Sequence, residues 1–201
     1  MAEVSLATLV AGLRSGEWLA SFPTDTVPAL AARCDRGELI FTAKQRQPDK
    51  PLILMAATAE QLWPYVQGTA RDWSHWKNIC DRHWPGPLTV VLPAGKLPSG
   101  LNPQDTGTVG LRVPDWPLAR CILQQTGPLA TTSVNRSGQP PLLDVGAIAQ
   151  VFPQVLTLGA SAWRSPEGPT QPSTVIAWQR GRWQVLRQGA IALGDIELEA
   201  F

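Results

Sequence analysis

Apolar residues recur at two spacings along the chain, and the segments that carry them alternate. Leu6, Leu9, Val10 and Leu13 sit three or four positions apart, which predicts a helix over residues 5–15 stopped by Gly16. Residues 36–43 predict a second helix with Leu39 and Ile40 inward. Residues 69–83 place Trp73, Trp76, Ile79 and Cys80 on one helical face. Residues 118–125, behind Pro117, and 145–152 predict two more helices. Thr58 and Gln61 have the spacing of a capping box and predict a further helix start. Short apolar runs at 18–22, 27–32, 51–56, 88–92, 108–113, 128–133 and 155–158 predict strands. Runs at 173–178 and 183–186 flank Gln179-Arg180-Gly181-Arg182, the pattern of a hairpin. Residues 163–172 are rich in Pro, Gly and Ser and predict a loop. Alternation plus a hairpin predicts an α/β or α+β fold around one mixed, twisted, open sheet flanked by helices. No repeat or domain boundary interrupts the pattern, so residues 1–201 are expected to form a single domain.

Composition narrows the classes. The chain has 201 residues, 44% apolar and 16% charged, which excludes a disordered polyelectrolyte. A chain of this size buries roughly 70% of its unfolded surface without a disulfide or metal staple. Seventeen Lys+Arg against 16 Asp+Glu leave a formal charge of +1, which excludes a histone-like basic field but not a local basic patch. The 19 Pro and 17 Gly are scattered, marking turns rather than collagen or a linker. Nine Trp read as core-filling aromatics. Cys34, Cys80 and Cys121 are widely spaced with no CxxC, as expected of a reduced, cytoplasmic protein without structural zinc. No signal peptide and no membrane-spanning run is read from the sequence.

The chemistry must sit in polar clusters, because no P-loop, GxGxxG, HExxH or GxSxG is present. Pro23-Thr24-Asp25-Thr26-Val27 brackets a carboxylate with two hydroxyls, as a turn or cap would, or a binding loop. Lys44 and Arg46 are two apart; in an extended segment they point to one side and, being alike in charge, face an anion or solvent. Ser133 and Asn135 share the same relation before Gly138. Ser173 with Thr174, and Arg187 before Gly189, offer hydroxyl and guanidinium groups suited to phosphate, or to a strand start and a surface ion pair.

In order, these clusters resemble the YrdC-like family of threonylcarbamoyl-adenylate synthases. The resemblance runs through Phe22–Val27, Lys44-Gln45-Arg46 with Lys50-Pro51-Leu52, Trp84–Thr89, Leu111–Pro114, Thr132–Asn135 with Ser137-Gly138, Ser173–Val175 and Arg187–Gly189. It covers nearly the whole chain and suggests the short form of the family. It implies an enzyme that joins L-threonine, bicarbonate and ATP into threonylcarbamoyl-AMP and pyrophosphate, with Mg²⁺ assisting the triphosphate. Other proteins would then pass the threonylcarbamoyl group to tRNA. The resemblance puts Lys44, Arg46, Ser133 and Asn135 at the catalytic centre and Thr26 and Thr132 beside threonine. Ser173, Arg187 and Arg112 would contact the nucleotide. The sequence departs from the family's Thr-Val-Tyr-Gly-Leu at Thr26-Val27-Pro28-Ala29-Leu30. The alternative function is a double-stranded RNA or tRNA binding paralogue without this catalysis.

Overall fold

The computed structural model describes residues 3–45, 51–102, 104–163 and 171–192. Among them are nine strands: β1 (Ala20–Phe22), β2 (Ala29–Arg33), β3 (Ile53–Met55), β4 (Leu88–Pro93), β5 (Thr108–Arg112), β6 (Leu129–Ser133), β7 (Leu156–Thr157), β8 (Thr174–Gln179) and β9 (Arg182–Arg187). They form one sheet in the order β7-β1-β2-β6-β3-β5-β4-β8-β9. The β1/β7, β3/β5 and β4/β8 pairs are parallel and the rest antiparallel, so the sheet is mixed as the sequence predicts.

The period-2 side-chain alternation of strands splits the core between the two faces. In β2, Ala29 and Ala31 point to one apolar layer while Leu30 and Ala32 point to the other. The first layer is closed by α1 (Leu6–Ser15) and α4 (Pro117–Thr126) through Leu9, Leu13, Ile122 and Leu123. The second is closed by α2 (Glu38–Lys44), α3 (Ala70–His83) and α5 (Val145–Val151) through Ile40, Trp76, Ile79 and Ile148. In the middle of the sheet, β6 lies between β2 and β3, and Thr131 faces both Ala31 and Ile53.

Local chemistry explains the element ends. Ser5 caps α1, its Oγ accepting from the Thr8 N–H, and Gly16 closes it at φ 75°. Arg180 and Gly181 carry φ 52° and 77°, the two positive values a two-residue hairpin loop requires. The helix predicted from Thr58 is replaced by two 3₁₀ turns, Ala59–Gln61 and Trp63–Tyr65. Pro64, which has no N–H, sits in the second turn. The reciprocal capping box falls instead at Thr69 and Asp72, where it opens α3. The strand predicted at 155–158 narrows to two residues, and most of the predicted 163–172 loop lies outside the described residues.

Six tryptophans join in ring contacts beside α3. Trp63 packs on Trp73 and Trp84 at 5.5 and 6.0 Å, Trp73 on Trp76 at 5.2 Å, and Trp178 on Trp183 at 5.0 Å. Trp178 Nε1 donates to Asp72 Oδ1 at 2.8 Å, so the carboxylate that caps α3 also ties it to β8. The core-filling role expected of the tryptophans holds for this group; Trp18 is the exception, 47% exposed.

At the start of α2 two backbones nearly touch. A Cβ on Gly37 would lie 1.8 Å from the Gly100 carbonyl oxygen, and one on Gly100 would lie 2.5 Å from the Gly37 nitrogen. Neither obstacle is a side chain that can swing away. Gly37→Ala is expected to destabilise the fold by about 2 kcal/mol, an overpacking cost. That corresponds to a drop in melting temperature of about 4–8 °C for a domain of this size, read by thermal unfolding followed by circular dichroism.

Candidate active site

Strand ends and the loops after them line a cleft of ≈ 370 Å³. Its wall includes Pro28 and Ala29 at the start of β2, Ile53 and Met55 from β3, and Arg112 at the end of β5. Thr132 and Ser133 from β6, then Asn135, Ser173 and Arg187, complete the polar side. Positive groups on this wall are not matched by any carboxylate among its lining residues.

One end of the cleft is organised by Lys44. This residue is 2% exposed and closes α2 rather than lying in an extended segment. The helix ends one residue later than the sequence suggests. Gln45, at φ 51°, then ends it by donating its N–H to the Phe41 and Thr42 carbonyls. The i,i+2 strand argument for Lys44 and Arg46 therefore does not apply, and Arg46 itself lies outside the described residues. Lys44 Nζ donates to the Ser133 carbonyl at 2.6 Å and to Asn135 Oδ1 at 3.0 Å. Ser133 Oγ donates to the same Oδ1 at 2.6 Å. Two donors, from positions 44 and 133, thus share one acceptor on Asn135. Lys44 backs the wall through residues that line it.

A second cluster centres on Arg112, 5% exposed. Its Nη1 donates to Thr26 Oγ1 at 2.8 Å and its Nη2 to Asp25 Oδ1 at 2.7 Å. Thr24 Oγ1 accepts from the Thr26 N–H at 3.1 Å and donates to the Val27 carbonyl at 2.8 Å, so this loop is both turn and ion-pair partner. Burial pushes the Arg112 guanidinium below its ordinary value; Asp25 opposes this, and the neighbouring charge of Arg187 adds to it. Thr26 reaches the cleft only through Arg112. Asp25 Oδ2 and Arg112 Nε are buried without a hydrogen-bond partner.

Arg187 occupies the third position. Its Nη2 donates to the Ser173 carbonyl at 2.8 Å and to Ser173 Oγ at 3.2 Å. Ser173 Oγ lies 2.8 Å from Thr89 Oγ1 across the β4/β8 pair. Burial alone lowers Arg187 from its ordinary value. An exposed guanidinium beside two hydroxyls, with no carboxylate bonded to it among the described residues, is suited to an anionic ligand.

The cleft and its two supporting clusters thus contain every described residue singled out in the sequence, with Thr132 and Ser173 on the wall beside Arg112, Arg187, Ser133 and Asn135. Thr24, Asp25 and Thr89, which carry the hydrogen bonds behind that wall, were visible only as parts of motifs.

Comparison with known proteins identifies the family. A family model, Sua5_yciO_yrdC, described as "Telomere recombination", matches residues 12–189. The chain belongs to the Sua5/YciO/YrdC family. Within that family it is 39% identical over 202 residues to the threonylcarbamoyl-AMP synthase of Bacillus subtilis (strain 168), covering 96% of this chain and 55% of that protein. It is 33% identical over 182 residues to the threonylcarbamoyl-AMP synthase of Chromohalobacter salexigens, covering 88% of this chain and 94% of that one. The structure of Pyrococcus abyssi Sua5 complexed with L-threonine superposes with a TM-score of 0.80 at 30% identity, over 96% of this chain and 56% of that chain. The chain therefore spans little more than half of the Bacillus and Pyrococcus family members. The mixed nine-stranded sheet flanked by helices is the family's fold. No helix among the described residues is long and apolar enough to cross a membrane.

The Asp25–Arg112 pair yields a test independent of activity. Removing one partner of a buried pair strands the other charge, which costs about 3–5 kcal/mol. Asp25→Ala is expected to lower the unfolding free energy by that amount in urea titrations. Arg33–Asp35 is a surface pair, with side chains 37% and 47% exposed. Asp35→Ala is expected to change stability by less than about 1 kcal/mol.

Proposed function

We propose that the protein is a threonylcarbamoyl-AMP synthase. It joins L-threonine, bicarbonate and ATP and releases pyrophosphate. The observation that carries this reading is the cleft wall itself. Arg112 and Arg187 face it without a lining carboxylate, beside the Ser133–Asn135–Lys44 cluster, in a chain similar to a Sua5 crystallised with L-threonine. The cleft volume is in the range of small-molecule sites.

Two steps account for the chemistry. The threonine amine condenses with bicarbonate, forming the N–C bond of a carbamate and releasing water. A carbamate oxygen then attacks the α-phosphorus of ATP, and the bond to the β-phosphate oxygen breaks with pyrophosphate as leaving group. Neither step needs a covalent enzyme intermediate. The protein's work is to hold anions together and to meet charge that builds on phosphate. Arg187 and Ser173 are assigned to the nucleotide, with Arg112 behind them. Ser133, Asn135 and Arg46 are assigned to the reacting carbamate and α-phosphate, with Lys44 holding Ser133 and Asn135 from behind, and Thr132 is assigned to threonine, with Thr26 acting through Arg112. Magnesium enters as the counter-ion of the ATP triphosphate, part of the substrate. The product is destined for adenosine in tRNA through separate transfer proteins, a reaction placed in the cytoplasm. A formal charge of +1 supplies little non-specific pull on nucleic acid, which disfavours an RNA-binding role without catalysis.

The test is pyrophosphate release by pure protein with ATP, Mg²⁺ and bicarbonate. Release should require threonine, and ATP consumption indifferent to threonine would overturn the reading. Arg187→Ala should raise the KM for ATP about tenfold or more while shifting that for threonine less, because one charge-assisted contact contributes about 1.5–3 kcal/mol.

Pro28 adds a second expectation. It is buried on the cleft wall where the family resemblance implies a tyrosine, and its carbonyl accepts from the Val134 N–H at 3.2 Å. That backbone bond does not depend on the side chain, so the strand path is available to tyrosine. Pro28→Tyr with Ala29→Gly is expected to tighten threonine binding up to about fivefold, the worth of one net hydrogen bond. Isothermal calorimetry with threonine reads the change; weaker binding would show that this wall does not face threonine.

A further inference from the structure

We infer that Arg136 is a positioning residue: it holds the end of α2 that carries Lys44 against Ser133 and Asn135. As a statement about catalysis the inference rests on the reaction proposed above; as a statement about Lys44 it does not. Arg136 lines no part of the substrate cleft. Its side chain lies on a second cleft, beside Ala43 and Thr42.

The guanidinium meets the C-terminal ends of two helices at once. Nη1 donates to the Ala43 carbonyl, in the last turn of α2, and Nη2 donates to the Val151 carbonyl, the last residue of α5, at 3.1 Å. The last carbonyls of a helix have no intrahelical donor and sit at the negative end of its dipole. One planar cation with several fixed donors can serve both ends, which a lysine ammonium cannot do in the same geometry. The Phe152 ring supports the cation from one face, 4.9 Å from its carbon to the ring centroid.

The backbone of the same residue fixes the other partner. Asn135 Nδ2 donates to the Arg136 carbonyl at 2.8 Å and to the Gln139 carbonyl at 2.7 Å. Both amide hydrogens are then used, so the amide oxygen must turn toward Lys44 Nζ and Ser133 Oγ. Arg136 thus grips Ala43, the neighbour of Lys44, with its side chain, and holds Asn135 with its carbonyl. The 3.0 Å contact of Lys44 with Asn135 joins residues 91 positions apart. Loss of the guanidinium frees one side of that contact and leaves the other in place.

The chain has four lysines, so the ammonium groups can be resolved by NMR after ¹⁵N-lysine labelling, with Lys44 assigned through Lys44→Arg. In Arg136→Ala the Lys44 ammonium hydrogens are expected to exchange about tenfold faster or more, and in Arg136→Lys by an intermediate factor. In the pyrophosphate assay Arg136→Ala should lower kcat about tenfold with KM values for ATP and threonine within about twofold. In a Lys44→Met background the same substitution should cost nothing further, because a residue acting only through Lys44 has nothing left to position. Unchanged Lys44 exchange in Arg136→Ala, or a loss of kcat that simply adds to that of Lys44→Met, would overturn the inference. Should Arg136→Ala fail to fold, Arg136→Lys and Arg136→Gln carry the same readouts. If the wild-type protein lacks threonine-dependent pyrophosphate release, the reaction proposal fails, and the exchange measurement still decides whether Arg136 holds Lys44.

Discussion

A buried ammonium must have acceptors. Moving Lys44 out of water costs several kcal/mol unless its hydrogens are received by oxygen. Two of those oxygens come from Ser133 and Asn135, on the far side of the fold in sequence. The requirement joins the end of α2 to the end of β6 and sets where the chain must turn after each. It also orients the Asn135 amide, and with it Ser133 Oγ, whose donor contact ends on the same oxygen. A cleft wall built on that contact is ordered before any substrate arrives, which is the condition for electrostatic preorganisation.

Sheet topology makes this contact possible. β6 is flanked by β2 and β3, so its last residues emerge beside Ala29 on one side and near Ile53 on the other. Short strands suit this arrangement. β1 and β3 have three residues each, and their ends deliver Thr24–Thr26 and the residues before Ile53 to the same region. Parallel pairing of β4 with β8 brings Ser173 to Thr89, and antiparallel β9 returns Arg187 to Ser173. Apart from Lys44, which ends α2, each polar cluster read along the sequence lies at the end of a strand, and one mixed sheet collects those ends.

How much of this was legible in the sequence follows from the range of each interaction. Helix α1 was readable because Ser5, the apolar spacing and Gly16 are local signals. The β8/β9 hairpin was readable because Arg180-Gly181 satisfies a local backbone requirement. The 3₁₀ turns after Thr58 were misread because the Thr58/Gln61 spacing matches a capping box, whereas Gln61 Oε1 accepts from the Ala57 N–H and Thr58 makes no side-chain cap; the reciprocal partner is Asp72 at Thr69, which also binds Trp178 across the fold. Lys44 was recognised as chemically important but placed in extended chain, because the left-handed Gln45 that ends the helix has no sequence signature. Arg136 carries no signal of its own in the sequence, lying between Asn135 and Ser137. Its partners at Ala43 and Val151 are 93 and 15 positions away, and no spacing rule reaches that far.

Near-neutral charge and an anion site are compatible because the fold distributes its carboxylates unequally. Arg33 and Arg36 are neutralised at the surface by Asp35 and Glu38, where pairing contributes little to stability. Asp25 is the exception that matters. It neutralises Arg112 from behind, away from the cleft, and leaves Arg187 without a carboxylate partner among the described residues. Arg112 then serves more as a buried strut than as an exposed cation, fixing the Thr24–Thr26 loop while Arg187 presents charge to the ligand. An anion entering this cleft would be held chiefly by hydrogen bonds from oriented groups, with little long-range field to draw it in. A charge near zero overall and positive at the wall favours selection by fit over capture of any polyanion that passes.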